Sequence, residues 1–196
     1  MIEMQSVSIP TPLMGKPKGT GGFLDPGSIV ENFGVEEGMK IADFGCGAGY
    51  FTISLAEKTG PSGKVYALDI LEHALDSVRG KARITGLDNI ETIRTNLEII
   101  GSSSLSDASQ DMVLLANILF QSVKREAIFK EAGRVLKKGG RLILIDWKKG
   151  TGGFGPPDNL RLDSVEIQKT ANKQGFEFEG QLEAGTFHFG LIFSRK

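Results

Sequence analysis

Asp43-Phe44-Gly45-Cys46-Gly47-Ala48-Gly49-Tyr50 sets an acidic residue ahead of three glycines at alternate positions, and a second carboxylate, Asp69, follows Gly49 by twenty residues. Glycines at that spacing remove the Cβ atoms that would hold a ligand away from the backbone, and they admit positive φ angles that other residues resist. A helix that begins directly after such a loop turns free N–H groups and the positive end of its dipole to the same spot. This is the chemistry of a nucleotide-type cofactor site. A carboxylate ending the neighbouring strand can accept hydrogen bonds from both hydroxyls of a ribose and repels a 2′-phosphate. Dinucleotide loops place the third glycine three residues after the second, to seat a pyrophosphate on the helix. Here it follows after two, which disfavours a nicotinamide cofactor.

Other residues capable of chemistry fall at predicted strand ends. Asn96 follows a third strand, Asn117 a fourth, and Asp146 with Trp147 closes a fifth. Asn117 can hydrogen-bond a ligand or cap its own strand. Asp146 and Trp147 can orient a substrate or serve as packing. His188, between Phe187 and Phe189, reads as a histidine on a strand face with a satisfied hydrogen bond rather than as a base, and His73 as a solvated residue in the first turn of a helix. Cys46 need only be small. No Ser-His-Asp set is evident. One cysteine and two histidines leave little for zinc, so no metal site is expected.

The elements that must position these residues alternate in type. Met39 to Phe44 and Lys64 to Ile70 are apolar, strand-like runs, and Tyr50 to Lys58 between them is amphipathic and helix-like. Leu71, Ala74, Leu75, Val78 and Ala82 recur at helical spacing before Gly86, a C-terminal stop. Ile90 to Arg94 and Met112 to Ala116 are short strands, with a polar loop from Ser102 to Asp111 between them. A helix from about Val123 is predicted to end at a Lys137-Lys138-Gly139-Gly140 turn, followed by a fifth strand, Arg141 to Trp147. Gly150 to Pro157 is a loop, Asp163-Ser164-Val165-Glu166 resembles a capping box, and the helix it opens stops at Gly175. Phe176 to Leu182 and Phe187 to Ser194 alternate as two strands. Strands alternating with helices imply a parallel sheet covered on both faces, and the closing pair implies an antiparallel strand at or near its edge. Asp25-Pro26 opens a short helix through Phe33. Residues 1–22, with three prolines and four glycines, read as a flexible tail, or else as a flap over the cofactor, ahead of a single domain at 23–196.

Taken together, the acidic residue, the glycines, Asp69 and the closing strands make the chain resemble a class I S-adenosylmethionine-dependent methyltransferase from about Phe23 to Ser194. The resemblance implies a Rossmann-like three-layer α/β sandwich. Its seven-stranded, mostly parallel sheet carries strand seven inserted antiparallel between strands five and six. It implies S-adenosyl-L-methionine as cofactor, with S-adenosyl-L-homocysteine as product. Asp43, Gly45, Cys46, Gly47 and Gly49 match the motif whose backbone meets the amino-acid end of the cofactor. Asp69 matches the ribose acid, Ile70 the residue on the adenine, and Asn96-Leu97 the adenine amino edge, with Asn117 a further candidate contact. The stretch Arg134 to Leu142 is similar to the family's helix and turn before strand five.

Within the family, Asp146-Trp147-Lys148-Lys149, Gly155-Pro156-Pro157, Arg161-Leu162 and Gly175-Phe176 resemble the small-molecule branch of ubiquinone/menaquinone biosynthesis. The expected activity is methyl transfer to a small-molecule acceptor by in-line displacement, with Asn117, Asp146 and Trp147 as catalytic candidates. Such a transfer mainly needs alignment and exclusion of water. Relatives often carry a histidine just after strand four, where this chain has Leu119-Phe120-Gln121. That departure leaves a non-catalytic cofactor-binding module open beside an RNA or protein methyltransferase. Gly155-Pro156-Pro157-Asp158 is similar to the Asn-Pro-Pro-aromatic motif of nucleic-acid amino-methyltransferases but follows strand five instead of strand four, and a lone cysteine argues against arsenic methylation.

Composition fits this picture. The 196 residues are 40% hydrophobic and 24% charged, as in an ordinary globular protein. A net charge of −1 disfavours nucleic acid as a partner without ruling it out. No apolar run reaches the length of a membrane span, and the first residues lack the apolar core of a signal peptide, so a cytoplasmic location is expected. A homodimer is left open.

Overall fold

The computed structural model describes residues 24–196; the expectation of a tail or flap at residues 1–22 lies outside the described residues. Along the chain come α1 (Pro26–Val30), β1 (Lys40–Phe44), α2 (Tyr50–Thr59), β2 (Lys64–Asp69), α3 (Glu72–Thr85), β3 (Ile90–Arg94) and β4 (Gln110–Ala116). They are followed by α4 (Arg125–Val135), β5 (Leu136–Trp147), α5 (Ser164–Lys173), β6 (Phe176–Leu182) and β7 (His188–Arg195). The seven strands form one sheet in the order β3-β2-β1-β4-β5-β7-β6. The first five strands in the chain pair in parallel, whereas β7 runs antiparallel to both β5 and β6. The expected insertion of an antiparallel seventh strand is present.

Successive residues of the central strands point to opposite faces, as a pleated strand requires. Ile41, Leu114 and Ile143 pack with Ile29, Val30, Leu55 and Phe33 from the α1 and α2 side. Ala42, Leu115 and Leu144 pack with Phe129, Ala132, Ile167 and Ala171 from α4 and α5 on the other. Both faces are therefore covered, giving the three layers. Leu75 and Val78 of α3 pack on Ala67 and Cys46, so this helix supports the glycine loop from behind.

Two boundaries differ from the sequence reading in an informative way. The helix before strand five begins at Arg125 and ends at Val135, ahead of the lysines. Lys137-Lys138-Gly139-Gly140, expected to be a turn, belongs to β5 as a bulge. Gln110 and Met112 of β4 face Leu136 and Arg141, so two steps on one strand match five on the other. Gly139 takes φ +74°, and a Cβ on Gly140 would sit 2.9 Å from the Lys137 carbonyl oxygen, so both glycines serve the bulge. Lys137 is tied to Asp111 at 2.5 Å across it. Of the capping box expected at Asp163, the N-cap half is present: its carboxylate accepts the N–H groups of Val165 and Glu166.

Candidate functional site

The glycine loop closes against the end of β2. Gly45 and Cys46 donate their N–H groups to the Leu68 carbonyl at 2.7 and 3.0 Å, and Gly47 donates to Asp69 Oδ2 at 2.9 Å. Gly45, Gly47 and Gly49 all have positive φ, at +74°, +50° and +80°. Their roles separate when a Cβ is imagined on each. At Gly45 it would lie 2.6 Å from Ile118 Cδ1, and at Gly49 2.7 Å from Val78 Cγ2, whereas at Gly47 nothing stands within 4 Å. Gly45 and Gly49 thus let neighbouring elements approach, and Gly47 leaves open space above the loop.

That space is a cavity of about 920 Å³ beyond the carboxyl ends of β1, β2, β3 and β4, the position in which open α/β sheets bind ligands. Asp43, Gly45, Cys46 and Gly47 line it from the loop, Asp69 and Ile70 from the end of β2, Asn96 and Leu97 from the end of β3, and Asn117 from the end of β4. The structure brings these predicted residues together. Gly49 instead packs on Val78, behind the loop. Sequence reasoning missed Leu24, Asp25 and Pro26, which line the cavity where α1 begins, and Glu98 with Ser122 on the far wall. A proline N-terminal to a helix marks the start of α1 but not its nearness to a ligand.

Buried interactions fix the walls. Asp43 is 1% exposed and accepts a hydrogen bond from Thr52 Oγ1 at 2.6 Å. Burial pushes its carboxyl up to about 7, the Thr52 bond only partly offsetting this and Asp69 adding to it. Asp69 accepts from Gly47 on one oxygen and from Leu71 N–H at 2.9 Å on the other. The loop after β3, which carries Asn96 and Leu97, is anchored from below by Glu131 of α4. This carboxylate accepts the Gly101 N–H, the Ser103 hydroxyl and the Arg134 guanidinium. Burial alone would raise its pKa, but those bonds outweigh it and hold the group at about 2. Ser122 donates to Glu98 at 2.6 Å, joining the loops after β3 and β4. Gln121, in the turn after β4, donates to the Asn117 carbonyl at 2.9 Å.

Four features test whether an S-adenosyl cofactor fits. The open position at Gly47 is a cradle that any side chain would fill. Asn117, held at φ +56°, lines this region, and its buried Oδ1 has no hydrogen-bond partner. Each oxygen of Asp69 has one backbone partner and so keeps a lone pair for a hydroxyl donor. Ile70, Leu71, Leu97 and Ile118 supply apolar wall for a base. The residues fit the group.

The remaining candidates are engaged elsewhere. Asp146, 1% exposed, accepts N–H groups from Leu119, Phe120 and Trp147 at 3.1, 3.3 and 2.8 Å, and so caps the short 3-10 turn Leu119–Gln121. Burial raises its pKa to about 6 despite those three bonds. Trp147 packs against His188 with ring centroids 4.1 Å apart and the planes tilted by 40°. Neither Asp146 nor Trp147 lines the cavity. The expected hydrogen bond of His188 is absent: the residue is 3% exposed and both ring nitrogens lack a partner. Burial, then Arg161 and Lys148, push its pKa down to about 4. The Cys46 thiol is pushed up by burial and by the nearby Asp43 and Asp69, which makes it a poor nucleophile. Among the described residues no group of three or more His, Cys, Asp or Glu side chains is placed to hold a metal, and no helix is long and apolar enough to cross a membrane.

Comparison with known proteins follows this geometry. A family model described as a methyltransferase domain matches residues 35–179. The demethylmenaquinone methyltransferase of Lactococcus lactis subsp. lactis (strain IL1403) is 33% identical over 117 residues, 60% of this chain and 45% of that protein. That of Geobacillus stearothermophilus is 32% identical over 123 residues, 63% and 51% of the two chains. The chain therefore spans about half the length of the curated relatives it matches. Among solved structures, a SAM-dependent methyltransferase from Aquifex aeolicus superposes with a TM-score of 0.81 at 29% identity, covering 89% of this chain and 91% of that one.

Proposed function

Since this chain belongs to the S-adenosylmethionine-dependent methyltransferase family, we propose that it transfers a methyl group to a small, partly apolar molecule. The observation that carries the reading is the convergence on one cavity of the open space over Gly47, of Asp69 with a single backbone partner on each oxygen, and of Asn117. Asp69 would hold the ribose, Ile70 and Leu97 the adenine, and the loop backbone from Asp43 to Gly47 the amino-acid end. When bound, the cofactor supplies an electrophilic methyl group on a positively charged sulfur. The chain's own share is to orient the reactants and exclude water: apolar walls from Ile118 and Leu97 lower the local water content, and Asn117 offers an amide to whichever partner lies against it. His73 and His188 both lie away from the cavity, so the acceptor we infer reacts through an atom that needs no histidine base. The relatives named for demethylmenaquinone support an aromatic, apolar acceptor of that general kind. The net charge of −1 favours it over RNA.

Calorimetry with S-adenosylmethionine and with NAD(H), followed by transfer of a labelled methyl group to hydroxylated aromatic compounds and to RNA, tests the reading. Saturable binding of S-adenosylmethionine and label in an aromatic product are expected. Preferential binding of NAD(H), or label in RNA alone, overturns it.

A further inference from the structure

A second cavity, about 650 Å³, opens between the start of α4, the start of α5 and the loop that leaves β5, and it shares no lining residue with the first. Its walls combine two kinds of chemistry. Ile100, Val123, Leu162 and Ile167 are apolar. Lys124, Arg125, Lys130, Lys149 and Arg161 are cationic, against Glu126, Asp163 and Glu166. One of those acids is already committed, because Asp163 caps α5 through two N–H groups. The cleft is thus net positive in a chain whose overall charge is −1.

The cations are not spent on one another's counter-ions. Among the described residues, Arg125, Lys130, Lys149 and Arg161 have no carboxylate within 4.0 Å, and only Lys124 approaches one, Glu98, at 4.0 Å. Arg161 is the most telling. It is 5% exposed, and its guanidinium donates only to neutral acceptors: the carbonyls of Lys148, Phe154 and Pro156 and the Thr151 hydroxyl. A buried charge without an opposite charge is costly. Those bonds lock the guanidinium in place beside the Trp147 ring, so its charge adds to the positive field of the cleft without being met by a carboxylate.

We propose that this cleft binds a small organic anion, its carboxylate or phosphate meeting Lys149, Arg125 and Lys130 in the field of the buried Arg161 and its apolar body lying on Val123 and Leu162. The proposal does not depend on methyl transfer, since the two cavities are lined by different residues. They do adjoin: Ser122 and Glu98 line the first, and Lys124, which faces Glu98, lines the second.

The test is titration of the full chain with phenyl phosphate and with benzoate, at fixed ionic strength, read by amide chemical shifts and by calorimetry. Saturable one-to-one binding is expected, with shifts confined to residues 123–130, 149 and 159–170. Loss of a charge-assisted hydrogen bond costs roughly tenfold in affinity, so Lys130→Ser and Lys149→Ser should each weaken binding by about that factor. S-adenosylmethionine affinity, measured on the same samples, should stay unchanged, which also reports that the variants fold. Tighter binding of phenyl phosphate assigns a phosphate ligand, and tighter binding of benzoate a carboxylate. Absence of saturation by both at millimolar concentration, or equal affinity in the two variants and the parent chain, overturns the proposal.

Discussion

Asp69 and Asp146 both stand at the end of a parallel strand on the same edge of the sheet, yet their oxygens are used differently. Asp69 holds one backbone N–H on each oxygen and faces a cavity. Asp146 holds three N–H groups, is shut off from solvent, and lines neither of the two cavities described. The contrast extends to their neighbours. Asn117 keeps an unpartnered oxygen beside the open space, whereas Trp147 covers His188 and is itself approached by Arg161, whose carbon lies 5.6 Å from the ring centroid. Position at a strand's carboxyl end is therefore a condition for taking part in a site, not a sufficient one. What decides is the capacity left after the protein's own backbone has been served.

Removing each carboxylate should separate these two uses. Asp146→Ala leaves three N–H groups without acceptors, and at about 1–3 kcal/mol for each buried donor, stability should fall by about 4 kcal/mol in urea unfolding. Cofactor affinity in the fraction that folds should be unchanged. Asp69→Ala should do the reverse, weakening S-adenosylmethionine about 100-fold through loss of two charged acceptors, with a smaller cost in stability. If Asp146→Ala left stability intact and abolished turnover instead, the two ends of the edge would not differ as described.

A titration sharpens the same contrast on the open side. Asp43 borders the cavity but is buried, and its carboxyl is pushed up to about 7. An acid whose folded pKa exceeds its unfolded value binds more protons when folded. Its favourable contribution is complete below about pH 4 and is lost as pH rises through about 7. Asp43→Asn keeps an acceptor for Thr52 and cannot ionise. Relative to the parent chain, the variant should therefore gain stability between pH 4 and 7, by on the order of 4 kcal/mol. Urea unfolding across that range measures the gain. A constant difference between the two chains would mean that Asp43 is ionised throughout.

How far the sequence reveals all this depends on the range of the interactions. β3 and β6 match their expected bounds, because alternation and flanking turns are local signals. The placement of Asp69, Asn96 and Asn117 around one cavity was legible for a related reason: in a parallel sheet, every strand's carboxyl end lies on one edge. The Lys137–Gly140 bulge was not, since lysines followed by glycines after a helix read locally as a stop. Only pairing with β4 shows the backbone continuing as a strand. Nor was the Thr52 partner of Asp43, or the saturation of Asp146 by a turn 27 positions away in sequence, legible. Residue types at strand ends show what could bind. Long-range packing decides which of them are free to.

His188 provides the finest probe of the closed side. Its imidazole is buried against Trp147 with neither nitrogen satisfied, so the protein bears a desolvation cost with no hydrogen bond in return. Phenylalanine keeps a ring on Trp147 and removes both orphaned atoms. His188→Phe should raise stability by about 1 kcal/mol above pH 7, where the histidine is neutral in both states. The advantage should then widen on acidification. Burial holds the folded pKa at about 4, below the unfolded value of 6.5, so the unfolded chain takes up the proton first and the parent protein loses stability as pH falls between them. Parallel urea titrations at pH 5 and pH 8 measure both effects. A variant less stable than the parent at both pH values would mean that the nitrogens of His188 have partners in solution. The closed end of the edge would then resemble the open one.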